Sequence, residues 1–343
     1  MTQPWIHKRT TDLLFILLPP FFITVVMLFF HNKMESIQNN YSFFTWLFLI
    51  VGIDVAHVYA SLFKTYLNKT NFKQNKHLFL LIPLVCFFVS VGAYMMGATF
   101  FWSFLAYIAV YHFVRQQYGF MRLYSRNESK TTKNILFDNL VIYNATLFPM
   151  LYWFLTPNRN FNWFVDHEFL QFHAPKIVEI LHILYFTILG VYIFITFYTA
   201  VKNKYFNTPK HLLIIGTYLS WYLGIVYYNN ELIFTVFNVI SHGVPYMALI
   251  FFKEVEPSNV AHKKLQKYLN KQTFITFVLL LLLIAFIEEY IWEVTVWEEH
   301  FSLNPSFYFP EAWHFIWIPL LALPQLTHYI WDGFIWKTKK TRS

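Results

Sequence analysis

Long apolar runs separated by short polar segments dominate the chain. A transmembrane helix needs about 20 mainly apolar residues, and ten stretches reach or approach that length. The pattern therefore predicts an all-α, polytopic membrane bundle that forms a single transmembrane domain over residues 1–343. The predicted helices cover residues 13–30, 42–63, 78–96, 98–121, 136–156, 177–200, 211–228, 231–252, 272–290 and 311–336.

The basic residues are distributed unevenly between the loops on the two sides of the predicted membrane. Of the 26 Lys and Arg residues, 22 fall on one side and one, Arg115, lies within a helix. The other side receives only Lys33, Arg159 and Lys176. Because Lys and Arg are retained on the cytoplasmic side, we predict that both termini are cytoplasmic. Basic inner loops also indicate a bacterial inner (plasma) membrane as the location.

The composition agrees with a membrane protein. Hydrophobic residues make up 57% of the chain and charged residues only 13%. The net charge of +8 comes from short loops rather than from one basic surface, so we expect membrane lipids as partners and no nucleic acid. The single cysteine, Cys86, excludes an intramolecular disulfide and every metal site that needs several cysteines.

Four histidines lie inside the apolar runs, each with a carboxylate or amide three or four residues away. Such spacings place both side chains on one face of a helix. Polar groups of this kind are costly in hydrocarbon and usually mark a functional site. The pairs are Asp54 with His57, His112 with Gln116, Asn238 with His242, and His328 with Asp332.

The predicted topology places these four histidines at one depth. Each of their helices runs inward, and 7 to 11 residues separate the histidine from the first basic residue of the next inner loop. At about 1.5 Å per residue, the rings lie roughly 10 to 17 Å from the cytoplasmic boundary. A shared depth favours one common site. For any single histidine, a structural role is an equal alternative, in which the side chain hydrogen-bonds a neighbouring helix.

A buried histidine layer beside carboxylates predicts a metal site. Burial favours the neutral imidazole, which is the commonest metal ligand. Nitrogen donors without cysteine suit iron, zinc, manganese or copper rather than calcium or magnesium. We predict His57, His112, His242 and His328 as the metal ligands, with iron as the preferred ion.

Three more polar side chains in the apolar runs are candidate catalytic residues: Asp54, Asp332 and Arg115. The two aspartates either bind the metal or hold a histidine in one tautomer. Arg115 lies one turn below His112 and is expected to pair with an aspartate, face an inner vestibule or bind an anionic head group. Snorkelling to the interface is the simpler alternative.

Two prolines and two acidic loops complete the pattern. Pro245 and Pro324 cannot donate a backbone hydrogen bond, so they predict kinks in the helices that carry His242 and His328. In the outer loops, residues 166–173 and 288–300 carry acidic side chains and histidines. We expect a solvated face there, with a cation site as the alternative.

Four short segments carry a resemblance to a known family: IDVAHVYAS (53–61), YHFVRQQYGF (111–120), ISHGVPYM (240–247) and LPQLTHYIWDGFIW (323–336). They are similar to segments of the membrane-bound carotenoid dioxygenases related to bacteriorhodopsin-related protein, which cleave beta-carotene to retinal. That family places histidines in several helices, often with an aspartate one turn away, and is taken to bind iron. The resemblance implies that the same four histidines are iron ligands and that the substrate is an apolar isoprenoid.

Three functional hypotheses follow. The first is an iron-dependent membrane oxygenase that acts on a lipid or isoprenoid. The second is a proton-coupled transporter in which Asp54, His57, His328 and Asp332 relay protons. Against it, an inverted repeat of five helices maps the second helix onto the seventh, which has no counterpart to Asp54 or His57. The third is a binding or assembly protein without a catalytic site.

Overall fold

The computed structural model describes residues 2–38, 43–129, 131–255, 271–297 and 310–335. Every regular element in these ranges is helical and none is a strand, so the all-α prediction is confirmed. The basic residues predicted to be cytoplasmic at 263–267 and 337–342, the outer residues 298–300 and the last residue of the final predicted span lie outside the described residues.

Twelve helices, numbered here in chain order, make up the described part of the chain. π-helical turns extend α8 to Tyr227 and α10 to Trp297. The helices are α1 Arg9–Leu17, α2 Pro19–Gln38, α3 Phe43–Phe63, α4 Lys69–Met95, α5 Ala98–Tyr124, α6 Thr132–Leu155, α7 Pro175–Asn203, α8 Thr208–Trp221, α9 Glu231–Val255, α10 Lys271–Trp292, α11 His314–Leu321 and α12 Leu323–Ile335.

Six helices among the described residues are long and apolar enough to cross a membrane, which indicates an integral membrane protein: α3, α4, α6, α7, α9 and α10. Helices α1 and α2 meet the same criteria together as a seventh span, bent by 49°. Pro19 and Pro20 account for the bend, because proline cannot donate within a continuous helix. The predicted spans 98–121, 211–228 and 311–336 are helical but fall outside this group. The count of ten spans and the cytoplasmic termini therefore stay predictions.

The chain divides into two compact units. The first contains Met1–Asn40 and Phe113–Pro245, and the second contains Tyr41–His112 and Tyr246–Ser343. The boundaries thus fall within α5 and within α9. Of the four predicted metal ligands, His242 belongs to the first unit and the other three belong to the second.

In the first unit, hydrogen bonds fix the segment that precedes α1. The fully buried Asp12 accepts bonds from the backbone N–H groups of Ile6 at 2.6 Å and His7 at 3.1 Å. It also accepts a bond from the Tyr124 hydroxyl at 3.2 Å. Arg126 donates to two backbone carbonyls of the same segment. The segment is therefore tied to the end of α5.

A buried ion-pair network joins α6 and α8 in the same unit. The Nζ of Lys210 lies 2.7 Å from Glu128 Oε2 and 3.1 Å from Asp138 Oδ1. Asp138 also lies 3.7 Å from Nη1 of Arg122. Lys210 and Asp138 are both buried. Loss of the lysine would therefore leave buried carboxylates with less compensation, which is strongly destabilising.

Lys210→Ala is expected to lower the free energy of unfolding by about 3 to 5 kcal/mol, the cost of removing one partner of a buried ion pair. Thermal unfolding in detergent would measure the change. Lys202→Ala is the control, because Lys202 is an exposed lysine in the last turn of α7. Equal melting temperatures for the two variants would contradict the assignment.

The loop between α6 and α7 is only partly the solvated face that its sequence predicts. Asp166 is exposed, but Glu168 is buried. The Glu168 carboxylate accepts backbone hydrogen bonds from Trp163, from Phe164 at 2.7 Å and from Val165 at 3.0 Å. The expectation of a solvated side chain is therefore wrong for Glu168, which closes the loop on itself.

The two prolines that predict kinks act differently. Pro245 cannot donate to the Ser241 carbonyl, and the side chain of Gln117 donates to that carbonyl through a long bond of 3.5 Å. In the second unit, α11 ends at Leu321 and α12 begins at Leu323. The break lies directly before Pro324, so the kink predicted there is an interruption of the helix.

In the second unit, α3 and α10 pack around an apolar cluster. The part of α3 from Leu47–Val55 is π-helical, a geometry that is frequent at functional sites. Asp54 lies in this segment, and His57 lies in the α-helical turn that follows. Helix α4 packs against α11 and α12. The cluster consists of Trp46, Val51, Val55, Ala56, Ala60, Tyr246, Ile250, Phe277, Leu281 and Ala285.

Candidate metal centre

Three buried histidines meet in the second unit. His57 on α3, His112 on α5 and His328 on α12 are 1%, 3% and 0% exposed. One ring nitrogen of each lies within 4.8 Å of those of the others. The ring centroid of His328 is 5.1 Å from that of His57 and 4.7 Å from that of His112. This group could hold a metal ion, and the three histidines predicted at one depth lie close together. That they form a metal site stays a prediction.

The nitrogens of His328 test whether a metal ion fits this group. Neither Nδ1 nor Nε2 has a hydrogen-bond partner among the described residues. An unpaired buried polar group costs about 1 to 3 kcal/mol, and native structures rarely leave such groups unpaired. Coordination to a metal ion would satisfy one of the two nitrogens. The donor set therefore fits a bound metal ion.

A carboxylate faces Nδ1 of each of the other two histidines. Asp54 Oδ1 lies 3.8 Å from Nδ1 of His57, and Asp332 Oδ2 lies 3.7 Å from Nδ1 of His112. These separations are too long for direct hydrogen bonds, but the negative charge favours a proton on Nδ1 and leaves the Nε2 lone pair for a metal. The spacing along α12 predicts His328 as the partner of Asp332, whereas the structure places Asp332 against His112.

Tyr246 holds Asp332 in this position. Its hydroxyl donates to Asp332 Oδ1 at 2.7 Å, and the residue is 1% exposed. Its ring meets those of His328 and His57 edge-on, with centroid distances of 5.0 and 6.0 Å. The Tyr246 side chain therefore contacts both Asp332, the carboxylate next to His112, and the rings of the other two histidines.

Three glutamates near the end of α10 are also buried in the second unit. Glu288, Glu289 and Glu293 are 6%, 9% and 2% exposed, so the expectation of a solvated face is wrong for them. Asp54 interacts electrostatically with both Glu288 and Glu289. Within the described ranges, no lysine or arginine forms an ion pair with Asp54, Glu288 or Glu289.

Tyr329 contacts the histidine group and also interacts with two of the acidic side chains. The Tyr329 ring stacks on that of His112 with centroids 4.8 Å apart, and Tyr329 interacts electrostatically with Asp54 and Glu288. Asp54 on α3 and Asp332 on α12 thus lie 3.8 and 3.7 Å from histidine nitrogens, and Glu288 on α10 interacts with the neighbouring Tyr329. A cation at the histidines would be stabilised by this arrangement, because buried charges need a partner of opposite sign.

The sequence pattern did not mark these glutamates as buried, because they follow the strongly apolar run that ends at Ile287 and fall where the predicted span 272–290 overlaps the predicted outer loop 288–300. The helix nevertheless continues to Trp292 and, as π-helical turns, to Trp297. Two features of the sequence indicate that the helix continues past Ile287. Apolar residues recur after the acidic pair, and Glu289 and Glu293 are spaced to share a helical face. Helical continuation, rather than hydropathy alone, identifies them as buried.

His242 lies in the first unit on α9. Its ring stacks on that of Phe113, with centroids 3.5 Å apart. Gln116, which the spacing places beside His112, donates from Nε2 to the His242 carbonyl at 2.9 Å. Along α9, His242 precedes Tyr246 by one turn and so shares a helical face with it. Its membership of the ligand set is part of the proposal below.

Arg115 is exposed and makes its contacts in the first unit. Its Nη1 donates to the Tyr143 hydroxyl at 2.6 Å. Its guanidinium carbon lies 4.3 Å from the centre of the Tyr118 ring. No ion pair joins Arg115 to a carboxylate in the part of the chain that the structure describes. The catalytic role predicted for Arg115 stays a prediction.

Comparison of the chain with protein-family models, with curated proteins and with solved structures finds no match. The chemistry of the centre is therefore inferred from its own residues and geometry.

Proposed function

We propose that this chain is a membrane-embedded, histidine-ligated metalloenzyme, an iron-dependent oxygenase that acts on a lipophilic isoprenoid substrate. The observation that carries the proposal is the group of buried His57, His112 and His328, in which both nitrogens of His328 lack a partner among the described residues. His242 is the fourth ligand in this proposal, because the sequence predicts it at the same depth as the other three histidines.

The donor set supports a transition metal. Imidazole nitrogens bind iron, copper and zinc, whereas calcium and magnesium require oxygen ligands. A divalent ion held by neutral imidazoles brings positive charge into an apolar interior, which is costly unless negative groups lie nearby. Asp54, Asp332, Glu288 and Glu289 supply them. Among the metals that suit histidine, iron is proposed because it supports oxygen chemistry.

Each residue of the centre has a role in this proposal. The histidines bind the metal through ring nitrogens, and a bound iron ion would supply activation of molecular oxygen. Asp332, held by Tyr246, fixes the orientation of His112, and Asp54 does the same for His57. The apolar cluster of α3 and α10 keeps water away from the centre. The substrate reaches it from the lipid phase, since α3 is apolar enough to span a membrane.

The isoprenoid substrate rests on the resemblance of four segments to the carotenoid dioxygenases and on the apolar surroundings of the centre. Protein purified in detergent would be analysed for metals by mass spectrometry and then incubated with beta-carotene in air and without oxygen. Bound iron and an oxygen-dependent product are expected. A folded protein that contains no transition metal and does not bind added Fe²⁺ would refute the metalloenzyme.

A proton-coupled transporter is the second candidate, favoured by the buried Glu288 and Glu289. Intramembrane carboxylates without basic partners are typical of proton pathways. Proton-driven uptake by vesicles that contain the protein would be lost in Glu288→Gln, and the purified protein would be free of metal. Bound iron in a protein without uptake activity would exclude this candidate.

A further inference from the structure

An arginine braced by two tyrosines stands on the exposed surface of the first unit. Arg115 on α5 donates from Nη1 to the Tyr143 hydroxyl on α6 at 2.6 Å. The guanidinium also lies over the Tyr118 ring, 4.3 Å from its centre. The two tyrosine rings stack with centroids 5.7 Å apart and planes inclined by 10°. The guanidinium is therefore held in one position although the side chain is exposed.

Arg115 has no anionic or carbonyl partner among the described residues, unlike five other basic side chains. Lys64, Arg122 and Lys210 pair with carboxylates, and Arg126 and Arg159 donate to backbone carbonyls. For Arg115, the described residues supply only the neutral Tyr143 hydroxyl and the face of Tyr118. A charge in a predicted membrane span without a counterion is costly, so the position favours an anion from outside the chain.

The exposed Arg115 keeps hydrogen-bond donors that no described residue uses. Arginine has five N–H donors, and only the bond to Tyr143 is formed with the described residues. Since the Tyr143 oxygen accepts that bond, its own O–H remains able to donate, and no described residue accepts from it. Several N–H groups and one O–H therefore remain available close to one another, a donor set that suits the oxygens of a phosphate.

The surroundings of the arginine are apolar. On α6, Leu140 and Leu147 lie one turn to either side of Tyr143 and are 50% and 46% exposed. Leu136 and Leu151 extend this exposed row in both directions. On α5, the guanidinium reaches toward Tyr118, one turn nearer the end of the helix that carries Arg122. A guanidinium beside a row of exposed leucines is suited to bind a molecule that has an anionic head group and an acyl chain.

We infer that Arg115, Tyr118 and Tyr143 form a binding site for the phosphate of an anionic membrane lipid, whose acyl chain lies along the exposed leucines of α6. Arg115 and the Tyr143 hydroxyl donate to the phosphate oxygens, and Tyr118 positions the guanidinium by a cation–π contact. This site uses none of the proposed metal ligands, so it holds whether or not the metalloenzyme does.

Native mass spectrometry of delipidated protein would test the site. Phosphatidylglycerol and phosphatidylcholine with the same acyl chains would be titrated into the wild type, Arg115→Gln, Tyr143→Phe and Lys133→Gln. Lys133 is the charge-matched control, because it is an exposed lysine on α6. We expect Arg115→Gln to weaken phosphatidylglycerol binding about tenfold, as for loss of a charged hydrogen bond, and Lys133→Gln to leave it unchanged.

Tyr143→Phe keeps the charge and removes one donor, so it should weaken binding about threefold and provides the test should Arg115→Gln fail to fold. Equal binding of the two lipids by the wild type, or equal loss in Arg115→Gln and Lys133→Gln, would overturn the inference. Inorganic phosphate forms a separate arm of the experiment. Displacement of the lipid by millimolar inorganic phosphate would overturn the assignment to a lipid and indicate a site for free anions.

Discussion

His328→Ala is expected to abolish metal binding by the purified protein. His328 is the middle histidine of the group, with its ring 4.7 Å from that of His112 and 5.1 Å from that of His57. Its nitrogens have no other partner among the described residues, so its removal deletes a ligand without breaking a protein hydrogen bond. Loss of residues that merely orient metal ligands lowers affinity about 10- to 100-fold, and loss of a ligand should exceed that.

Metal content per chain, measured by mass spectrometry after purification, is the readout. His182→Ala is the matched control, because His182 is a histidine of the apolar helix α7 that bonds to the Tyr222 hydroxyl at 2.9 Å. The control should retain the metal. Equal metal content in both variants, with melting temperatures close to that of the wild type, would show that the three histidines do not hold the ion.

Hydropathy was sufficient to predict the helices, because hydrocarbon forces a spanning segment to satisfy its own backbone hydrogen bonds. Each of the ten predicted segments contains helix where the structure describes it, and those at 13–30 and 311–336 are interrupted. Interruptions were harder to predict. The bend between α1 and α2 follows from Pro19 and Pro20, but the π-helical turns of α3 depend on packing against α10, which the sequence of α3 alone does not reveal.

The grouping of His57, His112 and His328 was predicted from the loop charges, because the topology that these charges favour places all three residues at one depth. Depth, however, says nothing about rotation of one helix against another. Asp332 shows the limit: its spacing predicts a contact with His328, and the packing of α12 turns it toward His112 and Tyr246. Contacts between helices therefore had to come from the structure.

The buried glutamates show a second limit. Charged residues at the end of an apolar run are ordinarily assigned to the interface, whereas Glu288 and Glu289 are buried by the packing of α10 in the second unit. The same packing changes the interpretation of the centre. Three neutral imidazoles alone offer little to offset the charge of an ion, whereas imidazoles among carboxylates favour a bound cation.

The two aspartates of the centre differ in how they are held. The Tyr246 hydroxyl donates to Asp332 at 2.7 Å, and no comparable bond to Asp54 appears among the described residues. The Asp54 side chain is also more exposed, 28% against 12% for Asp332. A hydrogen-bonded carboxylate orients its histidine better than one without such a bond. Asp332→Asn should therefore weaken metal binding more than Asp54→Asn does.

Asp332→Asn is expected to lower metal affinity about 10- to 100-fold, because the amide no longer favours a proton on Nδ1 of His112. Tyr246→Phe should lower it about tenfold, the effect of losing one hydrogen bond to a charged group. If the tyrosine acts through the aspartate, the double variant should bind metal no more weakly than Asp332→Asn alone, since coupled residues are not additive. Titration of the metal-free protein with Fe²⁺ would measure all three.

Tyr66→Phe is the matched control for this cycle, because the Tyr66 hydroxyl donates to the Phe79 carbonyl at 2.6 Å in the same unit. The Tyr66→Phe variant loses a hydrogen bond of similar length to that between Tyr246 and Asp332, but it should keep full metal affinity. Additive effects of Asp332→Asn and Tyr246→Phe would mean that the tyrosine influences the centre independently, through its ring contacts with His57 and His328. Complete non-additivity would establish the chain from Tyr246 through Asp332 to His112 as one positioning unit.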